Sequence, residues 1–167
     1  MANWCSNWVV FHGDEKTLSN IQELFSAMKA REEETGHGQL PEFAGPDDRH
    51  FFNIYFEQDN LGVFQYETKW APNTEALVAI ARQHNAGFVQ DYEESGCMVF
   101  GKATFADGVL SDTCLDGADF DAYEYDEEQD AYLFEGEAYE SSCEILETLL
   151  ERKMAINGIE VQADESL

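Results

Sequence analysis

Three features of this 167-residue chain predict an α+β fold. Short β-rich runs alternate with two longer segments of helical apolar spacing in the order β-α-β-β-α-β. An Asp-Gly pair then separates two more β-rich runs, and the chain closes on a helix-capping signal followed by leucines at helical spacing. The first six elements make the split βαβ, or ferredoxin-like, arrangement: an antiparallel sheet with both helices on one face. C-terminal hairpins and a terminal helix extend it. The expected organisation is a ferredoxin-like core over residues 1–110 and an acidic hairpin plus helix over 111–167, packed on the core as one domain.

"CSNWVVFHG" (Cys5–Gly13) is the first strand, stopped at Gly13. Asp14 can cap a helix in which Leu18, Ile21, Leu24, Phe25 and Met28 recur on one face, with Gly36 ending the pattern. Residues 35–49 carry two prolines and three glycines and read as a surface loop. "HFFNIYFE" (50–57) and "LGVFQYETKW" (61–70) are strands joined by a short turn at Gln58-Asp59-Asn60. Asn73 or Thr74 caps a second helix bearing Leu77, Val78, Ile80 and Ala81, with Gly87 past its end, and "FVQDYEE" returns as a strand. "CMVFGKATF" and "VLSDTCL" flank Asp107-Gly108 as a hairpin that continues the sheet. "AYEYD" and "AYLFE" form another hairpin around residues 127–130, in which Tyr123 and Tyr125 share one face, as do Tyr132 and Phe134, although a helix is an open alternative there. Ser141 and Glu144 form a capping box. The helix they start carries Leu146, Leu149 and Leu150, has Arg152 and Lys153 in its last turn, and ends before Gly158.

Charge is the unusual property. The chain holds 35 acids against 9 bases, a net charge of −26. The excess is uneven: residues 104–167 contain 19 acids and 2 bases, against 16 and 7 in residues 1–103. "DGADFDAYEYDEEQDAYLFEGEAYE" (Asp116–Glu140) has eleven carboxylates, six aromatic rings and no Lys or Arg. Disordered acidic segments lack such rings, so this stretch is expected to fold. Its field repels nucleic acid and anionic membranes, and the expected partner is basic. Solubility or adaptation to high salt is the bland alternative.

The opening residues have no cationic stretch and no long apolar run, which predicts no signal peptide, and no segment has the length of a membrane span. Cys5, Cys97, Cys114 and Cys143 are scattered without a CxxC pair and read as reduced thiols of a cytoplasmic protein. His12, His37, His50 and His84 fall on four different elements. No nucleophile elbow, phosphate loop, dinucleotide fingerprint or HExxH is present, so neither an enzyme nor a cofactor is expected. Asp119 and Asp121 have the spacing that opens an EF-hand loop, but Tyr123 and Glu124 stand where an oxygen ligand and the turn glycine are required. A looser Ca²⁺ or Mg²⁺ site in the acidic hairpin, serving a metal-dependent enzyme, is the third alternative.

A sharper pattern is Glu140, Glu144, Glu147 and Glu151, spaced by 4, 3 and 4 residues along one helical stripe opposite the leucines. Like charges at that spacing destabilise a helix by about 0.2–0.5 kcal/mol per pair. They stand roughly one turn, about 5–6 Å, apart, only slightly closer than successive phosphates of one nucleic-acid strand.

Three segments resemble the YubB-like proteins of phages and conjugative plasmids: "ANWCSN" (Asn3, Trp4, Cys5, Asn7), "TKW" (Thr68–Trp70) and "YEESGCMVFGKATFADG" (Tyr92–Gly108). Together they span about residues 1–110. The resemblance implies a ferredoxin-like domain and a mobile-element origin, and it carries no catalytic residues. By the ordinary structural reading, Trp4, Trp8 and Trp70 anchor the packing of the sheet, and Gly96, Gly101 and Gly108 serve turns or close approaches.

The expectation is a non-enzymatic acidic inhibitor that occupies the basic nucleic-acid site of a host restriction or CRISPR-type effector. Its phosphate surrogates would be Asp119, Asp121, Glu124, Asp126, Glu127, Glu128, Asp130, Glu140, Glu144, Glu147 and Glu151. The alternative is a structural or regulatory interaction module that recognises its partner through loop 35–49 or exposed tyrosines.

Overall fold

A computed structural model describes residues 3–94, 96 and 98–165, with backbone alone for 158–165. Ala2, Ser95 and Cys97 of the resembling segments lie outside the described residues. The elements are β1 (Trp4–His12), α1 (Glu15–Thr35), β2 (Phe52–Tyr55), β3 (Val63–Lys69), α2 (Thr74–His84), β4 (Gly87–Glu94), β5 (Val99–Ala106), β6 (Val109–Cys114), α3 (Gly117–Phe120), β7 (Glu124–Asp126), β8 (Ala131–Phe134), β9 (Glu137–Tyr139) and α4 (Ser142–Glu165). One sheet has the order β2-β3-β1-β4-β5-β6, its first four strands making the ferredoxin-like arrangement and the last two extending it. The chain divides into two compact units, Met1–Asp112 and Thr113–Leu167, the division falling within β6.

The first unit is built around phenylalanine. Phe25 of α1 stacks on Phe64 of β3 at 3.9 Å, and Phe11 lies 6.0 Å from both Phe64 and Phe88. Phe51, Ile21, Met28, Leu77 and Ile80 are fully buried with them. Helix α1 begins where Asp14 accepts a 2.7 Å hydrogen bond from the Thr17 amide and ends on Gly36 in the left-handed conformation. At α2 the N-cap is Asn73, yet its side chain makes no cap bond. Its Oδ1 accepts from the buried Tyr66 hydroxyl and its Nδ2 donates to the Arg49 carbonyl instead. The helix ends on Asn85, in the left-handed region, while Gly87 opens β4. A Cβ there would stand 2.7 Å from the Phe105 carbonyl, so close strand approach accounts for that glycine.

A chain of side-chain hydrogen bonds crosses the same buried face. Thr74 donates to Gln90, Gln90 to Asn7, Asn7 to Thr68, and Thr68 to the Ala71 carbonyl, each at 2.7–3.0 Å. Asn7 and Thr68 belong to the segments that carry the sequence resemblance, and both are buried. Their work is to tie the sheet to the turn that launches α2.

The three tryptophans are not packing anchors. Trp4, Trp8 and Trp70 are 40%, 46% and 48% exposed. On β1 the helix-covered face takes Cys5, Asn7, Val9 and Phe11, which puts Trp4 and Trp8 on the opposite face by alternation. Trp70 lies past the end of β3 with a left-handed φ of 73°. At Asp107-Gly108 both residues have positive φ, as a tight β5–β6 turn requires.

The second unit forms its own three-stranded sheet, β7-β8-β9, separate from the first sheet. The predicted β7–β8 hairpin pairs Tyr125 with Tyr132. A second hairpin follows through Glu135-Gly136, both at positive φ. Ile145, Leu146 and Leu150 of α4 are buried, as are Leu115, Ala131 and Phe134. Ser141 accepts from the Cys143 amide at the start of α4, and the helix runs through Gly158 to Glu165. A lone glycine costs a helix only about 1 kcal/mol, and no proline follows to stop it.

Candidate functional site

The rings of the acidic segment pair with one another. Tyr125 and Tyr132 have centroids 5.1 Å apart, Tyr123 and Tyr132 6.0 Å, and Phe134 and Tyr139 6.5 Å. Desolvation holds the Tyr123 phenol above its usual range, and the hydrogen bond that Tyr125 donates to Asp130 does the same for Tyr125.

Two cations fasten this unit. Lys153 bonds Asp119 at 2.9 Å and Asp116 at 3.2 Å, joining α4 to α3, and Arg152 forms a two-pronged pair with Glu135 in the β8–β9 turn. Neither base serves the end of α4, because the helix continues past both. The pairs leave marks on the partners. The Asp116 carboxyl lies below its usual range, chiefly because it accepts from the Asp119 amide and also from Lys153, and Glu135 is lowered by the Arg152 hydrogen bond. Asp116 and Asp119 make a reciprocal capping box on α3. The spacing Asp-x-x-Asp was its available sequence signal, as Glu-Gly was for the second hairpin.

The eleven expected phosphate surrogates separate into two classes. Three hold the fold together: Asp119 through Lys153, Asp126 through the Glu128 and Gln129 amides of the turn, and Asp130 through Tyr125. Asp121, Glu124, Glu127, Glu128, Glu140, Glu144, Glu147 and Glu151 are exposed. Among the described residues none of these eight is in an ion pair. The stripe is shorter than expected. Glu140 lies before α4, outside the helix, because Ser141 is the cap and Ser142 the first helical residue. Glu144, Glu147 and Glu151 keep the i, i+3, i+7 spacing on α4, opposite Ile145, Leu146 and Leu150. Glu144 also falls in the first turn, where the helix dipole favours an anion, so that carboxylate has a local reason to be there.

Among the described residues no group of three or more His, Cys, Asp or Glu side chains is disposed to hold a metal ion. Asp119, the residue that would open an EF-hand loop, has an ammonium as its cation. Cys5 is buried, with its thiol pushed up to about 11 by desolvation, while Cys114 and Cys143 are exposed free thiols and Cys97 lies outside the described residues. Among the described residues no helix is long and apolar enough to cross a membrane.

Residues 51–135 match the family model described as a ferredoxin-like domain in Api92-like protein. No curated protein matches the chain. No solved structure matches it either.

Proposed function

We propose that this chain, which belongs to the family of Api92-like proteins with a ferredoxin-like domain, is a non-enzymatic cytoplasmic inhibitor that presents carboxylates in place of nucleic-acid phosphates. The observation that carries the reading is the state of the second unit's two bases. Both are committed to Asp116, Asp119 and Glu135, which leaves the eight exposed surrogates named above with no cation of their own unit to neutralise them. Three stand on one face of α4, and Glu127 and Glu128 sit at the tip of an aromatic-braced hairpin. Anions held on helices and hairpins lose little backbone freedom when a basic groove closes on them, and their field speeds the encounter.

The similarity of Asn3–Asn7, Thr68–Trp70 and Tyr92–Gly108 to YubB-like proteins supports a phage or plasmid origin, where blocking a host restriction or CRISPR-type effector is useful. The test is capture from host lysate at low and high salt with wild type and with Glu144, Glu147 and Glu151 changed to Gln. A nucleic-acid-binding effector should be retained by wild type, lost on neutralisation or at high salt, and displaced by duplex DNA. Retention indifferent to charge and to DNA would overturn the reading.

A further inference from the structure

The first unit carries a separate feature that the acidic surface does not use. Register places Tyr55 opposite Gln65 and Gln65 opposite Trp8, so these three residues form one row across β2, β3 and β1. Strand spacing puts the two aromatic residues about 9–10 Å apart in that row, with the glutamine between them. Trp8, Tyr55, Gln65, Val63, Glu57 and Asn60 line a cleft of about 230 Å³, the scale of a side chain rather than of a cofactor. Trp8 and Tyr55 are 46% and 51% exposed, although rings of this size ordinarily bury most of their surface.

The one carboxylate that lines the cleft is in no ion pair among the described residues. Glu57 lines the cleft and is exposed. Asp91 stands opposite Trp8 on the neighbouring strand, and Glu67 lies two residues along β3 from Gln65. The lysines of this face are engaged: Lys102 pairs with Asp91 at 3.5 Å, and Lys69 lies over Phe52. The Lys29 ammonium already sits 5.9 Å from the Tyr55 centroid and 5.5 Å from that of Phe56, whereas among the described residues no cation lies over Trp8. Aromatic faces beside carboxylates attract an organic cation, and a guanidinium adds a planar stack and donors for the Gln65 carbonyl and the Glu57 carboxylate.

We infer that the Trp8–Gln65–Tyr55 cleft receives an arginine side chain of the protein partner. The inference rests on the partner being basic, as proposed above, and adds a second contact outside the acidic unit. Aromatic residues on such sheets can also stack nucleic-acid bases, but the Glu57 carboxylate in this cleft opposes a phosphate backbone.

The test is a titration of the ¹⁵N-labelled full chain, read at the Trp8 indole N–H, with a short Arg-Gly repeat peptide. Its citrulline counterpart and decathymidine serve as comparators. The arginine peptide should shift Trp8 saturably, and Trp8→Leu or Tyr55→Leu should weaken peptide binding about tenfold. Glu57→Gln should weaken it less, and the citrulline peptide should be nearly silent. The wild-type shift is read without any variant, so a misfolded substitution does not obscure it. An equal response to citrulline, a stronger one to decathymidine, or no response at Trp8 would overturn the inference. Changing Glu144, Glu147 and Glu151 to Gln should leave the Trp8 shift intact. If it does while the host effector is still captured, the mimicry reading fails and the cleft stands. If charge neutralisation abolishes capture but Trp8 never responds, the cleft fails and mimicry stands.

Discussion

The two units meet the same requirement, a single folded state, by different means. Residues 1–112 bury a nearly continuous layer of Phe, Ile, Leu and Met and keep most charge outside. Residues 113–167 bury a smaller set, with tyrosine pairs and two cations doing part of the fastening. Apolar contacts carry no charge to screen or titrate, whereas exposed ion pairs are screened by salt and removed by protonation of their carboxylates. The difference teaches that where the apolar core is small and the charge in surplus, the two opposite charges available are placed at the joints.

The largest expected effect tests the first half of that contrast. Phe64→Ala removes the ring stacked on Phe25 and should destabilise the first unit by about 3–5 kcal/mol, measured by chemical denaturation. A cost near zero would mean that the layer does not carry the unit. Next is Gln90→Leu, which leaves Asn7 and Thr74 without their buried partner and should cost about 1–3 kcal/mol.

Acid should separate the units. Asp116 and Glu135 have folded-state pKa values below their ordinary 3.8 and 4.5. Their contribution is therefore complete above those ordinary values and is lost as pH falls through the lowered ones. Amide exchange in α3 and the β8–β9 turn should rise there before it rises in β1 and β4, and uniform exchange would contradict the contrast. Lys153→Met should reproduce part of this at neutral pH, with faster exchange confined to α3. The smallest effect is expected from Asp107→Gly, at an exposed turn residue. Relief of the left-handed φ and the added freedom of the unfolded chain oppose each other, so stability should change by less than about 1 kcal/mol.

What could be read from the sequence follows from how local each signal is. Asp14 and Gly36 bound α1 through bonds made within four residues, and the turn at Asp107-Gly108 needs only its own two residues, so these were legible. The faces of β1 were not. Cys5-Asn7-Val9-Phe11 and Trp4-Ser6-Trp8-Val10 each carry three apolar residues in four, and only the position of the helices decides which is buried. Large rings suggested the wrong face. Glu140 was misplaced for another reason: the spacing of the glutamates suited a helix, while the Ser141 cap already excluded that residue from it. The pairings of Arg152 with Glu135 and Lys153 with Asp116 and Asp119 span 17, 37 and 34 residues, beyond any periodic signal. The exposed carboxylates were legible as a charge excess, but which of them brace the fold required the hydrogen bonds.

The buried bonds from Thr74 through Gln90 and Asn7 to Thr68 have a consequence for assembly of the sheet. Phenylalanines are interchangeable partners and would accept several alignments of β1 between β3 and β4. Amides in a dry interior are not so permissive, since a strand displaced by two residues would leave their donors and acceptors facing hydrocarbon. The four polar side chains thus act as a key cut for one alignment, and a sheet paired in another register is disfavoured.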